Sequence, residues 1–584
     1  MDDRLLEPLK FYEEIGRETH AENIKAHFDD LLLRSGVNEE ENRATVKSYK
    51  SELAAIEKLA RRIGKYKALR VLLIIGIILG GIMSLGGIVA AVSSGLPGIL
   101  LLAVGALMLV GSILLLVKKV NPTIKQVESV RAERAAKADE LLREAWAQMA
   151  PLNALFDDSD TLRLIEKTVP DISFDQRYTT EHERLLVERH DFVDLNGAET
   201  SIVGTLAGRC AGNPFLFCRR ISHRMGVATY HGSLVISWTE TYRDSSGKIR
   251  TRTRTQTLHA SVTKPKPEYH LGCYLGYGSQ AAPDLTFSRK PTHAEDLSEK
   301  ALQKKIRSGE KRLKKKTQQA TREGSSFQEM ANTEFDVLFG AEDRDHEIQF
   351  RLMFTPLAQR NTVALIKSQT GYGDDFFFDK RRRFNIITSE HAQHWDADTS
   401  ASRYHSYDID TTRATFTTFN EAYFKSVFFD FAPLLSIPAY VEEPCASLDP
   451  IDDMPSNYTY YEHEVMANAI GMGAFVHKDS ATDAILKTAV VEKRGKTDVV
   501  AVTANSYATQ PRIDFVPVMG GDGRLHPVPV PWTEYIPVSK TTDMEIEAVD
   551  MTATEFRNAK HDPSRSLPEG TFCHGMVART ILNL

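Results

Sequence analysis

The sequence has few cysteines, and none of them has a metal-binding spacing. Its 584 residues include 5 cysteines, an odd number without a Cys-x-x-Cys pair, which argues against a disulfide framework and a structural zinc site. The phosphate-loop signature, the Gly-x-Ser-x-Gly elbow and the His-Glu-x-x-His helix are also missing from the chain. We therefore expect no cofactor, and the enzyme classes that depend on these motifs lack support.

Ionisable side chains are absent from a long central stretch. From Val71 to Val117 every residue is apolar or small, and only Ser93 to Gly98 breaks the apolar run. About 20 apolar residues cross the hydrocarbon core of a bilayer, and Ser, Gly and Pro favour a turn. The stretch predicts a transmembrane hairpin with spans at 71–92 and 98–117. The alternative is a helix pair buried in a soluble core.

Basic residues flank both predicted spans, which predicts their orientation. Positive charge beside membrane helices is retained on the cytoplasmic side. We expect a multi-pass protein of a cytoplasmic membrane with both termini in the cytoplasm, because the turn between the spans carries no charge. The flanking cations are Arg61, Arg62, Lys65, Lys67 and Arg70 before the first span, and Lys118, Lys119 and Lys125 after the second.

A second basic cluster lies in a predicted helical insertion at 294–323. Nine lysines and arginines between Lys300 and Lys316 face one acid, Glu310, although the formal net charge of the whole chain is −6. Such a run is typical of a solvated helix or tether; contact with anionic lipid headgroups is the alternative, and nucleic acid is not expected. The residues that could bind an anion or lipid are Lys304, Lys305, Lys311, Arg312, Lys314, Lys315 and Lys316, together with Arg250, Arg252 and Arg254 of a predicted hairpin.

The regions around the predicted spans have helical patterns. Residues 1–70 form N-terminal helices, and Val46, Tyr49, Leu53, Ile56, Ala60 and Ile63 make an apolar seam with coiled-coil spacing. Gly76, Gly80 and Ser84 form a small-residue face whose expected partner is the second span. Pro122 is expected to interrupt the helix, and 118–157 then continues as a stalk that stands in solvent or self-assembles.

The remaining chain is predicted as an α+β domain at 158–440 and a C-terminal α+β domain at 441–584. Expected strands are 234–242, 249–262, 347–354, 376–379, 383–388, 499–503 and 513–518. Expected helices are 355–367 and 480–488, and Gly520 to Gly523 supplies a turn. Pro527, Pro529, Pro531 and Pro537 restrict the chain after this turn to edge strands or extended segments.

Three short strings could carry chemistry. Gly371 to Asp375 resembles a metal-binding Tyr-Gly-Asp-Asp turn, but polar residues precede it, so we expect a glycine-rich loop whose aspartates lie in solvent or cap a neighbouring element. His391, His394 and Asp396, with Asp398 nearby, are weak candidates for metal ligands, because an i, i+3 pair converges readily on a helix but poorly after a strand. Cys573 and His574 are adjacent, and a structural cysteine is expected there.

One resemblance can be stated on these motifs. The helix pair, the Ser246-Gly247-Lys248 hairpin, the acidic-Phe block of Glu334, Phe335 and Phe339, and the strand ending in Thr355-Pro356 resemble an uncharacterised family of bacterial membrane proteins. The resemblance covers roughly residues 71–390. It implies a bacterial cytoplasmic (inner) membrane and this architecture, and it brings no catalytic residues.

Together these features predict a membrane protein with a transmembrane hairpin, a helical stalk and a mixed α+β cytoplasmic region. The expected function is a membrane-anchored scaffold that binds a protein partner or self-assembles, because a cytoplasmic region of this size exceeds what an anchor needs. The alternatives are a membrane-associated enzyme with a site near 355–398, and a protein that senses lipid or shapes the membrane.

Overall fold

The computed structural model describes residues 3–94, 96–243, 245, 247–393, 398–442, 458–549, 551–560 and 569–581. The α-helices are α1 (Pro8–Phe11), α2 (Arg17–Ser35), α3 (Glu39–Ser94), α4 (Leu96–Leu115), α5 (Asn121–Asn153), α6 (Asp160–Thr168), α7 (Thr180–His190), α8 (Glu299–Glu323), α9 (Thr333–Phe339), α10 (Glu347–Met353), α11 (Pro356–Lys367), α12 (Glu390–Gln393), α13 (Ile409–Leu435), α14 (Ala439–Glu442), α15 (Tyr460–Ile470) and α16 (Ala553–Lys560).

The strands are β1 (Ile172–Asp175), β2 (Thr200–Cys210), β3 (Asn213–Arg243), β4 (Ile249–Gly278), β5 (Thr286–Arg289), β6 (Phe376–Arg381), β7 (Phe384–Ser389), β8 (Ile485–Arg494), β9 (Thr497–Met519), β10 (Leu525–Ala548), β11 (Thr571–Cys573) and β12 (Met576–Thr580). The mixed α+β class predicted from the sequence is confirmed.

The chain divides into two compact units, each built from separate stretches of sequence. One unit is helical and contains Lys25–Phe156 and Ala401–Thr418. The other contains Met1–Ile24, Asp157–Ser400 and Phe419–Leu584, and holds both β-sheets. We call them the helical unit and the sheet unit.

Two long helices that pack side by side dominate the helical unit. Helix α3 runs for 56 residues, about 84 Å at 1.5 Å per residue, and α4 and α5 return alongside it. Helix α3 and the helical stretch that begins with α4 are each long and apolar enough to cross a membrane. Only 17% of the apolar segment of the first and 6% of that of the second are buried. Most of this apolar surface therefore has no protein partner within the described chain.

Glycines let the two apolar helices approach closely. A Cβ atom on Gly80 would lie 2.9 Å from the backbone nitrogen of Leu109, and one on Gly76 would lie 2.9 Å from Ser112 Oγ. On the opposite helix, a Cβ on Gly105 would lie 2.8 Å from Ser84 Oγ. The small-residue face predicted from the sequence is confirmed, and its partner is the chain's own second apolar helix.

The expected break at Pro122 is wrong. Residues Leu116–Val120 form one π-helical turn, and Pro122 then occupies the first turn of α5. Proline is tolerated at that position because its missing N–H and fixed φ suit the start of a helix. A wider turn followed by an N-terminal proline keeps the helical path continuous.

The apolar seam predicted for the start of α3 is only partly buried. Val46 and Ile63 are buried, whereas Leu53 is 42% exposed. Glu52 is buried instead, and its carboxylate pairs with Arg134 at 2.7 Å and Lys137 at 3.1 Å. Charge pairing therefore replaces apolar packing at this level of the helix pair.

Two antiparallel sheets organise the sheet unit. The larger has the strand order β1-β2-β3-β4-β7-β6-β5, and the smaller has the order β11-β12-β10-β9-β8. The main core lies on the larger sheet and is rich in phenylalanine, with Phe335, Phe339, Phe350 and Phe354 in mutual ring contact. Helix α13 contributes a second aromatic group that includes Phe428.

Two expected secondary-structure assignments are wrong. The segment expected as a strand at 347–354 is helix α10, and the segment expected as a helix at 480–488 leads into strand β8. In α10, Phe350 and Met353 are buried at helical spacing, and the His346 side chain caps the helix N-terminus. Tertiary burial decides between helix and strand for such short apolar runs. The helix opened by Thr355 and the strands β6 and β7 are confirmed.

Helix α15 lies where the two sheets meet and carries three consecutive buried ionisable residues. Glu462 accepts hydrogen bonds from Thr205 Oγ1 of β2 at 2.8 Å and from the backbone N–H of Tyr178 at 2.8 Å. Glu464 pairs with Lys487 of β8 at 2.6 Å and accepts from the N–H of Ile202. These contacts tie β2 of the larger sheet to β8 of the smaller sheet.

The longest strands extend beyond the rest of their sheets as two-stranded ribbons. Ribbon 1 is the outer part of β3 and β4 (residues 224–268), and ribbon 2 is the outer part of β9 and β10 (residues 507–536). Ile236 and Leu258 of ribbon 1 pack against Val528 of ribbon 2. A Cβ on Gly232 would lie 2.1 Å from the Pro529 carbonyl oxygen, so glycine is required where the ribbons touch.

Replacement of Gly80 by leucine tests the close helix approach. We expect the thermal unfolding midpoint in detergent, followed by circular dichroism, to fall, because overpacking costs about 1–3 kcal/mol. Gly86→Leu is the matched control in the same helix, since a Cβ there meets nothing within 4 Å. Equal midpoints for the two variants would contradict the packing described above.

Candidate functional site: an apolar ribbon face and two polar clusters

One face of ribbon 2 is apolar and exposed. Alternate residues of a strand point to opposite faces, and Val528 and Val530 face ribbon 1 and are buried. Ile513, Phe515, Met519 and Leu525, on the other face, are each more than half exposed. The outward set, which we call the apolar face, is Ile513, Phe515, Pro517 and Met519 of β9 with Leu525, Pro527, Pro529 and Pro531 of β10.

Prolines block the free edge of ribbon 2. A proline has no N–H and is accepted in a ladder only where its nitrogen points away from the neighbouring strand. Pro527, Pro529 and Pro531 are alternate residues of β10, each paired in register with β9, so their nitrogens point to the open edge. Another strand cannot add along these three residues. The prolines close the β10 edge, whereas β9 pairs with β8 only up to Asn505.

The corresponding outward face of ribbon 1 is mainly polar. Its paired residues include Thr239 with Thr253 and Thr241 with Thr251. Val235 is isolated between serines and threonines, and Met225 and Val227 form a smaller apolar group on this face. The larger contiguous apolar surface is that of ribbon 2.

His391 lies in a buried cluster of charges. Its Nδ1 atom is 2.6 Å from Asp375 Oδ2, and its Nε2 atom is 3.1 Å from the Ser426 carbonyl oxygen and 3.6 Å from Asp430 Oδ1. Ser389 Oγ donates to Asp430 Oδ1 at 2.5 Å. A carbonyl oxygen and an ionised carboxylate can only accept hydrogen bonds, so both ring nitrogens carry protons in this geometry.

Electrostatics agree with a charged His391. Burial opposes the imidazolium, but Asp430 and Asp375 outweigh it, and the pKa of His391 is raised. Burial also raises the pKa of Asp430 to about 6, with the charge of His391 opposing that shift. The side chains of His391, Asp375 and Asp430 are each less than a tenth exposed, so the cluster has the properties of a structural ion network rather than of an accessible catalytic centre.

The glycine-rich loop at 371–375 contributes Asp375 and Tyr372 to this cluster. Asp375 pairs with His391, Asp374 forms a fully buried ion pair with Arg289, and the Tyr372 ring stacks on His391 with centroids 4.2 Å apart. Both aspartates are buried and charge-paired, so the expectation that they face solvent is wrong. Asp375 does cap a neighbouring element, because its Oδ2 accepts from the backbone N–H of His391 at the start of α12. His394 and Asp396 lie outside the described residues. Among the described residues, no group of three or more His, Cys, Asp or Glu side chains is arranged to hold a metal ion.

The basic segment forms helix α8, which packs along the core. The segment is a helix, as one of the two expectations had it, but Leu302, Ile306, Leu313 and Ala320 are buried, so one face packs against the core and the expectation that the segment is fully solvated is wrong. Ser298 caps the N-terminus of the helix, and Gly324 with φ of 72° ends it. The exposed cations are Lys304, Lys311, Lys314 and Lys315. On one flank of the helix, Lys305 contacts Thr292, and Arg312 and Lys316 contact Glu342.

Arg250, Arg252 and Arg254 lie at alternate positions of β4, near the tip of ribbon 1. Glu240 of β3 pairs with Arg252 at 3.2 Å and with Arg254 at 2.7 Å. This carboxylate offsets part of the local positive charge. Binding of an anion by these arginines stays a prediction.

Sequence reasoning missed the buried charges of α15. His574 Nδ1 lies 2.9 Å from Glu462 Oε2, and His463 Nε2 lies 3.3 Å from Asp498 Oδ2. Burial opposes the charge of His574, but Glu462 outweighs it and the pKa of His574 is raised. The missed signal is Thr459 followed three residues later by Glu462, since Thr459 Oγ1 accepts from the Glu462 N–H as in a helix N-cap.

The thiol of Cys573 is not activated by the adjacent histidine. Burial raises the pKa of Cys573 to about 12, and the imidazole of His574 bonds to Glu462 instead. A thiolate is the reactive form of cysteine. The environment of Cys573 is that of a structural cysteine, as expected from the sequence.

No protein-family model, no curated protein and no solved structure matches this chain. The bacterial membrane location implied by the resemblance stays a prediction.

Replacement of Asp430 by asparagine tests the charged cluster. The raised pKa of His391 means that its stabilisation is fully present below about pH 6.5, the usual histidine value, and is lost as the pH rises through the higher folded-state pKa. We therefore expect Asp430→Asn to destabilise the protein at pH 6.5, by about 3 kcal/mol for a broken buried pair. At pH 9 the difference should shrink.

The measurement is the thermal midpoint of the full-length protein in detergent at both pH values. Asp379→Asn is the control, because Asp379 pairs with Arg381 near the surface and exposed pairs contribute about 1 kcal/mol or less. If Asp430→Asn lowered the thermal midpoint equally at both pH values, that result would contradict a charged His391.

Proposed function

We propose that this protein is a membrane-anchored scaffold that self-associates through the apolar face of ribbon 2. The observation that supports the anchor is the exposed apolar surface of α3 and α4, whose apolar segments are only 17% and 6% buried. Exposed apolar surface of this length is costly in water and favourable in lipid. The basic flanks around residues 61–70 and 118–125 support an orientation with both termini in the cytoplasm.

Self-association is supported by the chemistry of the apolar face. Two copies related by a two-fold axis present the same surface to each other, so the surface must be self-complementary. An uncharged apolar face meets this condition, whereas a face of one charge sign would repel its copy. Two such faces would bury on the order of 1,000 Å², near the lower limit for a specific interface.

Membrane anchoring also favours self-association. Two proteins held in one membrane meet at a higher effective concentration than two free proteins, so a small interface gains apparent affinity. The prolines of ribbon 2 oppose strand addition along β10, which favours association through the apolar face over association through that edge. The scaffold is therefore a pair of anchored chains joined through their β-ribbons.

Catalysis near 355–398 has less support. His391 lies between Asp375 and Asp430, and all three side chains are buried. A substrate would have to displace these partners before reaching the imidazole. The same groups have a sufficient role in joining the loop at 371–375 to helices α12 and α13.

The anchor is tested by placing charge in both spans. We expect the full-length protein to stay with membranes after alkaline carbonate washing, and the double variant Ile82→Lys and Leu107→Lys to be released. Each lysine costs about 2.5–3.5 kcal/mol at the centre of a span, and both residues are more than half exposed. Leu33→Lys is the control, because Leu33 is exposed on α2 outside the spans. Release of the unchanged protein would exclude the anchor.

Self-association is tested at Phe515. We expect the detergent-solubilised protein to be dimeric in sedimentation analysis, and the double variant Ile513→Asp and Phe515→Asp to be monomeric, because like charges would meet across the interface. Val235→Asp is the matched control on ribbon 1, where an equally exposed apolar residue is isolated. A monomeric starting protein, or a dimer that survives the double substitution, would overturn the proposed interface.

A further inference from the structure

A cleft of about 590 Å³ lies between helix α8, the chain that follows β5, and the segment after α9. Its lining includes Lys290, Thr292, Lys305, Ser308, Arg312 and Glu342. Clefts of roughly 300–1,000 Å³ are the usual size of small-molecule sites. The cleft does not involve the ribbons or the two apolar helices.

The shape of the cleft depends on Gly309. A Cβ at this position would lie 2.4 Å from Val337 Cγ1, so α8 approaches α9 more closely than any other residue would permit. Lys305 and Arg312 lie one turn to either side of Gly309 on the same flank of α8. Both cations therefore border the same space.

The carboxylates that line the cleft are already engaged. Glu342 Oε1 is 2.5 Å from Arg312 Nη2, and Lys316 is 3.8 Å from its second oxygen. The Asp343 carboxylate accepts hydrogen bonds from the N–H and the hydroxyl of Ser288. Neither acid pairs with the two lysines of the cleft.

Lys305 and Lys290 form no ion pair within the described residues. The Lys305 ammonium donates to the Thr292 carbonyl oxygen, and burial lowers the pKa of Lys305 although the more distant Asp374 opposes that shift. A cation that loses hydration without gaining a counter-ion is destabilised, which applies to the half-buried Lys305, whereas Lys290 is exposed. An anion in the cleft would restore the missing partner.

We propose that this cleft binds a phosphate group, with Lys305 and Lys290 as its charge partners and the Ser308 hydroxyl as a hydrogen-bond donor. Two unpaired ammonium groups match the charge of a phosphate monoester, which has close to two negative charges at neutral pH. A carboxylate would neutralise only one of them. The cleft is larger than inorganic phosphate, so the group belongs to a phosphorylated small molecule or to a lipid headgroup.

The test is competitive lysine acetylation of the full-length protein in nanodiscs, read by mass spectrometry. The first arm adds inorganic phosphate to phosphatidylcholine discs. The second arm uses discs that contain phosphatidic acid and no free phosphate. We expect slower labelling of Lys305 and Lys290, by about tenfold at a ligand concentration about ten times the Kd. Exposed Lys304 and Lys311 on the same helix are the internal controls and should label at unchanged rates.

Protection in the first arm identifies a soluble phosphate compound, and protection only in the second identifies a lipid headgroup. Lys305→Met should abolish the protection of Lys290, whereas Lys304→Met should leave it unchanged. Protection in neither arm would overturn the proposal. Equal protection of Lys304 and Lys311 would also overturn it, because that result indicates general screening of a basic helix.

Discussion

The sheet unit depends on the rule that a buried charge needs a partner. Helix α15 places Glu462, His463 and Glu464 where the two sheets meet, and all three are buried. A lone carboxylate in such a place would cost several kcal/mol, so the two glutamates need partners beside them. These partners belong to different strands: Thr205 and Ile202 of β2 and Lys487 of β8. His463 lies 3.3 Å from Asp498 of β9. This requirement fixes how the smaller sheet attaches to the larger one.

The ribbons follow from that attachment. Once β2 and β8 are joined through α15, the long hairpins β3–β4 and β9–β10 run beside each other, and apolar packing between Ile236, Leu258 and Val528 holds them together. Each strand alternates its side chains, so packing on one face leaves the opposite face outside. In ribbon 2 that outside face is apolar, and in ribbon 1 it is mainly threonine and serine. The proposed association surface is therefore the face left uncovered when the ribbons stack.

The helical unit obeys a different constraint. Its apolar helices make close contact through glycine and serine, which bury little side-chain surface, and their large apolar residues point outward. Van der Waals contact and backbone proximity hold helices together in lipid, where large apolar side chains gain nothing by leaving the solvent. In the more polar part of the same helix pair, Glu52 between Arg134 and Lys137 replaces apolar contact. The change from charge pairing to glycine packing along the pair is consistent with the proposed anchor.

The sequence by itself determined the features that depend on local pattern. The uncharged run from Val71 to Val117, the Gly80 face, the strands β6 and β7 and the helix opened by Thr355 all depend on residues close together in the chain. Only the tertiary structure decided the helix at 347–353, the partners of Asp374 and Asp375, and the cleft beside Lys305. These features depend on residues distant in sequence: Arg289 reaches Asp374, and Asp430 reaches His391. Local spacing cannot show which buried charges will meet, because burial and pairing are set by the packing of the whole unit.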